Sequence, residues 1–426
     1  YWCVPPTTKV IANPEPKAIS DLKVGDRVLA HDGTFTKVKR LFQRPYQGEL
    51  VRIKTYYYDE PFQLTPNHEL LCGRKGETGI CWKPAGELTK EDFVLLPKMR
   101  EIRDRKFLNI CEILPTYQDN DGKIYRKKLH RHIASQIPLE HDFMRLAGYY
   151  IAEGSMSLKI GLMQFSFSKC EERYVDDVLA LTEKLFGLKG RKLGVNNLCE
   201  ARICSVTLCE LFAKLFGTKA SQKCLPDWML YLPQEKLAEW VKGFWRGDGN
   251  TDRDSFRFHT TSEVLAYQVR MILTRFGFFS SMSCRKKATI GPSRIGRRQI
   301  IARHDCYCIK VGGRSLQRLS ELLDVQHPFT RQRWCTFNRG RRSRNYLWLP
   351  IQSLGRVPYE GQVCNIETDK QSYVLSNMAV HNCTADPGWV TGTSYGIYGP
   401  WTLGVSSVVI GGRFDPDRWY QTIQRY

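Results

Sequence analysis

Hydrophobic and polar positions alternate at two different periods along this chain. In the first hundred residues the segments "KVIA", "DRVLA", "TKVKRLF", "GELVRIKTYYY" and "FVLLP" are short, β-branched or aromatic, and punctuated by turns such as "HDGT". That pattern predicts an all-β module. The polar stretch from Met99 to about Leu139 has no sustained period and reads as a connector. From Glu140 the period becomes helical. "HDFMRLAGYYIAEG" puts Phe143, Leu146, Ala147 and Tyr150 on one face, and "KLAEWVKGFWRGDG" repeats this with Leu237, Trp240, Val241 and Phe244. Aligning Gly154 with Gly249 sets Glu153 opposite Asp248. Each copy is followed by strand-like segments and then an amphipathic helix, "EERYVDDVLALTEKLFG" and "SEVLAYQVRMILTRFGF", the second with Thr261 or Ser262 as N-cap. Two copies of one pattern predict a pseudo-symmetric mixed domain. From Tyr346, "YLWLPI", "GQVCNIET" and "SYVLSNMAVHN" return to strand character, so the mixed domain is expected to split the β module.

A chain of 426 residues, 42% hydrophobic, suits a soluble protein of about two to four domains. No apolar run approaches the roughly 20 residues that span a bilayer, and the N-terminus lacks the layout of a signal peptide. The opening "YW", without a methionine, reads as an excerpt of a longer protein. Charge sharpens the picture through its placement. The formal net charge is +21, and beyond Cys383 the three arginines and three aspartates cancel. From Arg285 to Arg344, sixteen Lys or Arg face Asp305, Glu321 and Asp324, interleaved with Tyr307, Phe329, Trp334 and Phe337. Nucleic acid is the partner such a field attracts best, because neutralising phosphates releases counterions. A solvated face or an anionic membrane is the alternative. The fifteen cysteines support neither a disulfide framework nor a zinc site: the count is odd, there is no C-x-x-C pair, and the closest approach is "CYC" at Cys306 and Cys308. They read as small buried hydrophobes in a reducing cytoplasm, one or two of them nucleophiles.

Two cysteines mark chemistry. In "HNC" at 381–383 the Asn382 side-chain amide can attack its own main-chain carbonyl, forming a succinimide and releasing the chain beyond it, with His381 placed to protonate the leaving group. Cys3, attacking the carbonyl before it, would convert the Trp2–Cys3 amide into a thioester, from which Cys383 could take the acyl group. "LTPNHELL" offers Thr65 and His68, an alcohol and an imidazole that can polarise or protonate a strained amide. A β-turn with a surface histidine is the plainer reading of that segment alone.

"CVPPTTKVI", "ISDLKVGDRVLAHDG", "LTPNHELL" and "VCNIETDKQSYVLSNMAVHNC" together resemble the splicing blocks of an intein, whose horseshoe-like β fold (the Hint fold) is shared with Hedgehog autoprocessing domains. The resemblance implies that Cys3 performs an N-to-S acyl shift helped by Thr65 and His68. Cys383 then accepts the N-terminal segment, Asn382 cyclises with help from His381, and an S-to-N shift leaves a peptide bond. Many inteins have an aspartate where this chain has Asn365, beside Cys364. An amide cannot be a general acid, though it can hydrogen-bond an oxyanion; Cys364 either contributes a thiol or packs.

"LAGYYIAEG" and "VKGFWRGDG" resemble the paired motifs of LAGLIDADG homing endonucleases. The resemblance implies two helices packed through Gly148 and Gly243, with Glu153 and Asp248 presented to DNA as ligands of Mg²⁺ ions that activate water. Lys223, in "QKCLPDWMLYLP", matches a basic position of that family and would support the site; an exposed lysine is the alternative. Lys242, Trp245 and Arg246 stand where the family has small, apolar or acidic residues.

"YW" joined to "CTADPGWVTGTSYGIYGPWTLGVSSVVIGG" resembles acetyl-CoA synthetase, an AMP-forming ligase, and removing residues 3–382 restores "YWCTADPGW". There Val390 and Thr391 fall on positions of the acyl and CoA region, beside Trp389. The expected organisation is multidomain: flank 1–2, splicing domain 3–98 and 346–382, connector 99–138, α+β endonuclease 139–345 with two pseudo-symmetric repeats, and an α/β host fragment 383–426. The expected function is self-excision with ligation of the flanks, plus Mg-dependent cleavage of double-stranded DNA at the intein-free host gene. The expected form is a cytoplasmic monomer that touches no membrane, with acetate, ATP and CoA bound by the host only after splicing. A splicing protein whose nested domain only binds DNA, a β module that only cleaves, and a ligase fragment with a disordered insert are the alternatives.

Overall fold

The computed structural model describes residues 2–58, 60–119, 121–125, 132–252, 254–291, 293–295, 298–326, 339–382, 399–404, 421–422 and 424–425. The chain divides into two compact units, Tyr1–Asn382 and Cys383–Tyr426. In the second, the short helix Gly399–Thr402 is described. Among the described residues no helix is long and apolar enough to cross a membrane.

Both ends of the first unit build one nearly closed, barrel-like sheet. Its path runs Ser372–Val374, Ala379–His381, Glu69–Arg74, Asp92–Pro97, Tyr346–Thr368, Phe35–Thr55, Arg27–Leu29. Phe35–Thr55 and Tyr346–Thr368 pair antiparallel from Thr55 opposite Ile351 to Val38 opposite Thr368. The split module is therefore closed by its own two halves. "TKVKRLF" and "GELVRIKTYYY" belong to one strand, although Pro45 and Gly48 interrupt the pattern. The strand continues because much of its length is a two-stranded ribbon, where the outer edge tolerates a residue without an N–H. "YLWLPI" and "GQVCNIET" likewise merge. The N-terminal segment is threaded against the C-terminal one through the bridges Val4–Cys364 and Val10–Leu375.

The segment read as a connector carries structure of its own. Phe107–Asn109 pairs with Gln136–Pro138, and Tyr117–Gln118 with Ile124–Tyr125. Leu108, Ile110, Ile124, Ile133 and Ile137 are fully buried. Strands of two or three residues are too short to leave a period in the sequence.

The inserted domain is α+β, with two repeats of the same topology. The first comprises α1 (His141–Glu153), α2 (Glu172–Phe186) and α3 (Val206–Phe216); the second comprises α4 (Gln234–Asp248), α5 (Glu263–Arg275) and α6 (Leu316–Leu323). The first repeat's sheet has the order Gly154–Ser157, Leu162–Ser168, Leu198–Cys204, Arg191–Val195. The second has Gly249–Asp252, Ser255–Thr260, Cys306–Gly312, Ser280–Arg285. Every neighbouring pair in both sheets is antiparallel. Met163, Phe165 and Phe167 in one sheet and Phe256, Phe258, Ile309 and Val311 in the other face the core. The intervening positions, Gln164 and Arg202 in one and Arg257 and Lys310 in the other, are partly exposed and lie opposite each other across strands. Each sheet thus has an apolar face on its helices and a polar face opposite, of mixed charge in the first sheet, where Arg202 pairs with buried Glu200 at 2.8 Å. Ser262 caps α5 by accepting from Leu265 N at 3.2 Å, and α2 stops at Gly187, whose φ of +67° costs glycine nothing.

The apolar faces of α1 and α4 pack together. A Cβ on Gly148 would lie 2.4 Å from Trp240 O, and one on Gly243 would lie 2.3 Å from Arg145 O. The helices cross backbone to backbone, which only glycine permits. Both domains share one core, and α5 reaches into the β module. Buried Arg270 donates to Ser376 O at 3.1 Å and to Asn377 Oδ1, in the loop before Ala379–His381. Asn377 in turn donates to Thr55 Oγ1 at 2.6 Å.

Candidate functional site

The first site lies where the β module brings its chain ends together. Cys3 is buried, and its backbone N–H donates to Thr65 Oγ1 at 3.0 Å, while Thr65 N donates to Cys3 O at 3.0 Å. The turn 65–68, closed by His68 N donating to Thr65 O at 2.9 Å, carries the imidazole beneath Cys3. Asn365 Nδ2 donates to Trp2 O, the carbonyl oxygen of the Trp2–Cys3 bond. Asn365 Oδ1 accepts from Ile366 N at 2.7 Å, which fixes the amide with its NH₂ toward Trp2. Asn365 is therefore placed as a donor to the oxygen that would carry charge if this bond were attacked, a placement the sequence left open. Cys364 pairs through its backbone with Val4, at 3.0 and 2.8 Å, and burial pushes its thiol pKa up.

His68 joins this junction to the other. Its Nδ1 is 3.2 Å from Cys3 O and its Nε2 is 3.1 Å from His381 O. Burial, outweighing the two backbone hydrogen bonds, pushes its pKa down to about 4. A neutral imidazole has one N–H, so it donates to one of these carbonyls at a time. At the C-terminal junction His381 Nδ1 lies 2.8 Å from Asn382 O, and since a carbonyl only accepts, the proton sits on Nδ1. Trp2 and Trp82 each meet the His381 ring edge-on at 5.1 Å. Asn382 is buried, with its N–H donating to Gln371 O at 2.9 Å. Cys383 lies outside the described residues, as do Trp389, Val390 and Thr391, and Phe329, Trp334 and Phe337 of the basic tract.

The second site is at the ends of α1 and α4. A Cβ on Gly247 would lie 3.4 Å from Glu153 Oε1, so that carboxylate stands beside the residue preceding Asp248. Burial pushes both carboxyls up to about 7; repulsion from Glu171 adds to this at Glu153 and repulsion from Glu153 at Asp248, while Lys223 opposes both. Lys223 is buried, not exposed: its ammonium donates to Tyr150 O, Ile151 O and Gly154 O at 2.7, 3.0 and 2.6 Å. It caps the C-terminus of α1, spending all three protons on orphan carbonyls, and burial pulls its pKa down to about 8. Among the described residues there is no group of three or more His, Cys, Asp or Glu arranged to hold a metal. Two like-charged, half-buried carboxylates still suit a hard divalent cation that completes its shell with water and phosphate oxygens.

Of the residues that depart from the helix motif, Trp245 packs edge-on to Phe256 at 5.6 Å, and Lys242 and Arg246 join a charge network. Lys242 pairs with Glu239 at 2.8 Å. Arg246 donates to Tyr149 OH at 2.8 Å, and Tyr149 donates to Asp177 Oδ2 at 2.9 Å. Arg145 bridges Asp177 on α2, at 2.9 Å, and Glu239 on α4, at 3.0 Å. The charges lock three helices together. Arg44, whose Nη2 lies 3.0 Å from Cys3 Sγ, Trp82, against His381, and Arg270, which donates to the loop before Ala379–His381, carry no local signal in the sequence.

Residues 235–323 match the family model of a LAGLIDADG-like domain. The chain is 31% identical over 422 residues to an uncharacterized protein of Methanocaldococcus jannaschii, covering 89% of this chain and 50% of that one. It is 28% identical over 417 residues to the ATP-dependent DNA helicase Hel308 of Thermococcus kodakarensis, covering 89% and 36%. It thus spans half or less of these relatives' length. A stretch of 67 residues is 46% identical to acetyl-coenzyme A synthetase of Bacillus subtilis, 16% of this chain and 12% of that protein. Among solved structures, I-DmoI in complex with DNA and Ca is similar with a TM-score of 0.33 and 13% identity, covering 44% of this chain and 92% of that one. The chain is intein-like, a β module with a LAGLIDADG endonuclease domain nested in it and a short acetyl-coenzyme A synthetase flank.

Proposed function

We propose that residues 3–382 excise themselves and join their flanks, and that the nested domain cuts double-stranded DNA at the host gene lacking the insert. The observation that carries the first claim is His68, whose two ring nitrogens face Cys3 O and His381 O across 65 and 313 residues of sequence. Two reacting chain ends on one imidazole have no purpose in a merely structural turn. That one segment aligns within a helicase and within an uncharacterized protein of another organism agrees with an insertion independent of its host. In the mechanism Cys3 Sγ attacks the Trp2 carbonyl carbon while Asn365 stabilises the oxyanion and Thr65 holds the departing nitrogen. Cys383 takes the acyl group. Asn382 Nδ2 attacks its own carbonyl carbon, with His381 Nδ1–H on the developing oxyanion; the Asn382–Cys383 bond breaks, the departing Cys383 nitrogen takes the proton that Nδ2 gives up, and the freed amine receives the acyl group in an S-to-N shift that completes the peptide bond.

In the nested domain Glu153 and Asp248 would hold Mg²⁺, which when bound activates water and neutralises phosphate charge. Lys223 holds the α1 end that positions Glu153, and the polar sheet faces supply contacts to phosphates and bases. A nested domain that binds DNA without cutting is the second reading; retention of both carboxylates favours cleavage. Incubating the protein with Mg²⁺ and a plasmid bearing the uninterrupted host sequence decides it: linear product supports cleavage, and a shifted but intact plasmid supports binding alone. Against the expectation of buried cysteines, Cys81, Cys111, Cys170, Cys204 and Cys284 are exposed, and exposed thiols suit a reducing cytoplasm, the location proposed for this chain. The host ligase would meet acetate, ATP and CoA after splicing.

A further inference from the structure

Arg44 Nη2 lies 3.0 Å from Cys3 Sγ, in a place no motif suggests. The arginine sits on Phe35–Thr55, opposite Val363 and two positions from the pairing of Phe42 with Asn365, so the pairing of this strand with Tyr346–Thr368 sets the cation and the Trp2 O donor in one register. Cys3 is held from the other side by the Val4–Cys364 bridge. A guanidinium is always protonated and has no acceptor, so the sulfur is the acceptor, and a thiolate accepts more strongly than a thiol.

We propose that Arg44 is a catalytic residue of the N-terminal junction, stabilising Cys3 sulfur as thiolate both when it attacks Trp2 and when it leaves. This rests on reading residues 3–382 as self-excising. A buried thiol resists ionisation, and a fixed positive charge at hydrogen-bond distance offsets that resistance. Among the described residues, three further titratable groups near Cys3 are turned to other tasks. His68, from the 65–68 turn, is held neutral by burial and faces the carbonyl oxygen. Cys364, on Tyr346–Thr368, is held as a thiol by burial and by Cys3 itself. His381 meets the ring of Trp2 and directs Nδ1 to Asn382 O.

In the first step Cys3 Sγ gives up its proton and bonds to the Trp2 carbonyl carbon. The bond to Cys3 N breaks and that nitrogen takes the proton, so the step is an isomerisation with nothing added. In the second, Cys383 sulfur gives up its proton and bonds to the same carbon, Cys3 sulfur leaves with the bonding pair, and the proton ends on Cys3 sulfur. One cation serves both, since attack and departure pass through the same anion.

The test uses the full chain with Asn382→Ala and Cys383→Ala, which stops at the thioester, and follows release of the N-terminal flank by dithiothreitol from about pH 6 to 10. Arg44→Gln should slow release at neutral pH by about ten- to a hundredfold, the range of a charged hydrogen bond, and move the pH midpoint upward. Arg44→Lys should recover part of both effects. Arg40→Gln, at an exposed pair with Glu367, should change neither. A folding defect in Arg44→Gln would lower the amount of active protein without moving the midpoint. An unmoved midpoint in both Arg44 variants overturns the role of Arg44. No release from the Arg44 parent at any pH overturns the excision reading, and this inference with it.

Discussion

The Nε2 of His68 lies 3.1 Å from the carbonyl oxygen of His381, while the other nitrogen of the same ring faces Cys3. One neutral imidazole therefore serves two junctions alternately, and its removal is expected to damage both. His68→Ala should slow thiol-induced N-terminal cleavage in an Asn382→Ala background and C-terminal cleavage in a Cys3→Ala background. The expected loss is about 10²- to 10⁴-fold at the N-terminal step, the range of general acid–base catalysis. Loss at one junction with the other at full rate would contradict the shared role.

Asn365 donates to Trp2 O from an amide that Ile366 N fixes in place. Replacing it with alanine removes an oxyanion donor, so N-terminal cleavage should fall about 10²- to 10³-fold. C-terminal cleavage in the Cys3→Ala background should be unchanged, because the bonds of this amide are made at the N-terminal junction.

The α1–α4 crossing predicts a stability effect. Gly148→Ala puts a methyl 2.4 Å from Trp240 O and 2.7 Å from Phe244 N, both backbone atoms of the opposite helix. The helices must separate, at about 1–3 kcal/mol or more. Thermal melting should show this, with DNA cleavage lost as the carboxylates part.

The carboxyls of Glu153 and Asp248 are raised to about 7, so below that pH they are largely protonated and poor ligands, and above it they are anionic. Mg-dependent cleavage should climb as pH rises through about 7. Lys223→Met removes a positive charge that favours both anions, so the acid limb should move to higher pH. For stability the sign is opposite: the folded pKa values lie above ordinary carboxyl values, so this contribution declines as pH rises from about 4 to about 7.

Arg270 connects the inserted domain to the splicing strand. Arg270→Met leaves Ser376 O and Asn377 Oδ1 without that donor, at about 1–3 kcal/mol for such buried groups. Because the loop leads into Ala379–His381, C-terminal cleavage should slow more than N-terminal cleavage, measured in the same two backgrounds.

The repeats were legible in sequence because Gly148, Gly243 and the apolar faces recur at a helical period beside them. The splitting of the β module was legible because strand character stops at 98 and resumes at 346. Elsewhere the signal fails for physical reasons. Pro45 and Gly48 break the alternation of a strand that continues through them, because a two-stranded ribbon does not need every N–H. Lys223 sits in a polar segment, and only the approach of the α1 carbonyls, about seventy residues upstream, makes it a buried cap. Arg44 and Arg270 act through partners 41 and 107 residues away, a relationship no local pattern encodes.

The most direct test is the mass of the products when the chain is expressed between full host flanks. The account predicts a joined host protein containing "YWCTADPGW" and a free protein of residues 3–382, with Cys3→Ala and Asn382→Ala each abolishing the joined product. A single unspliced species in all three would contradict it.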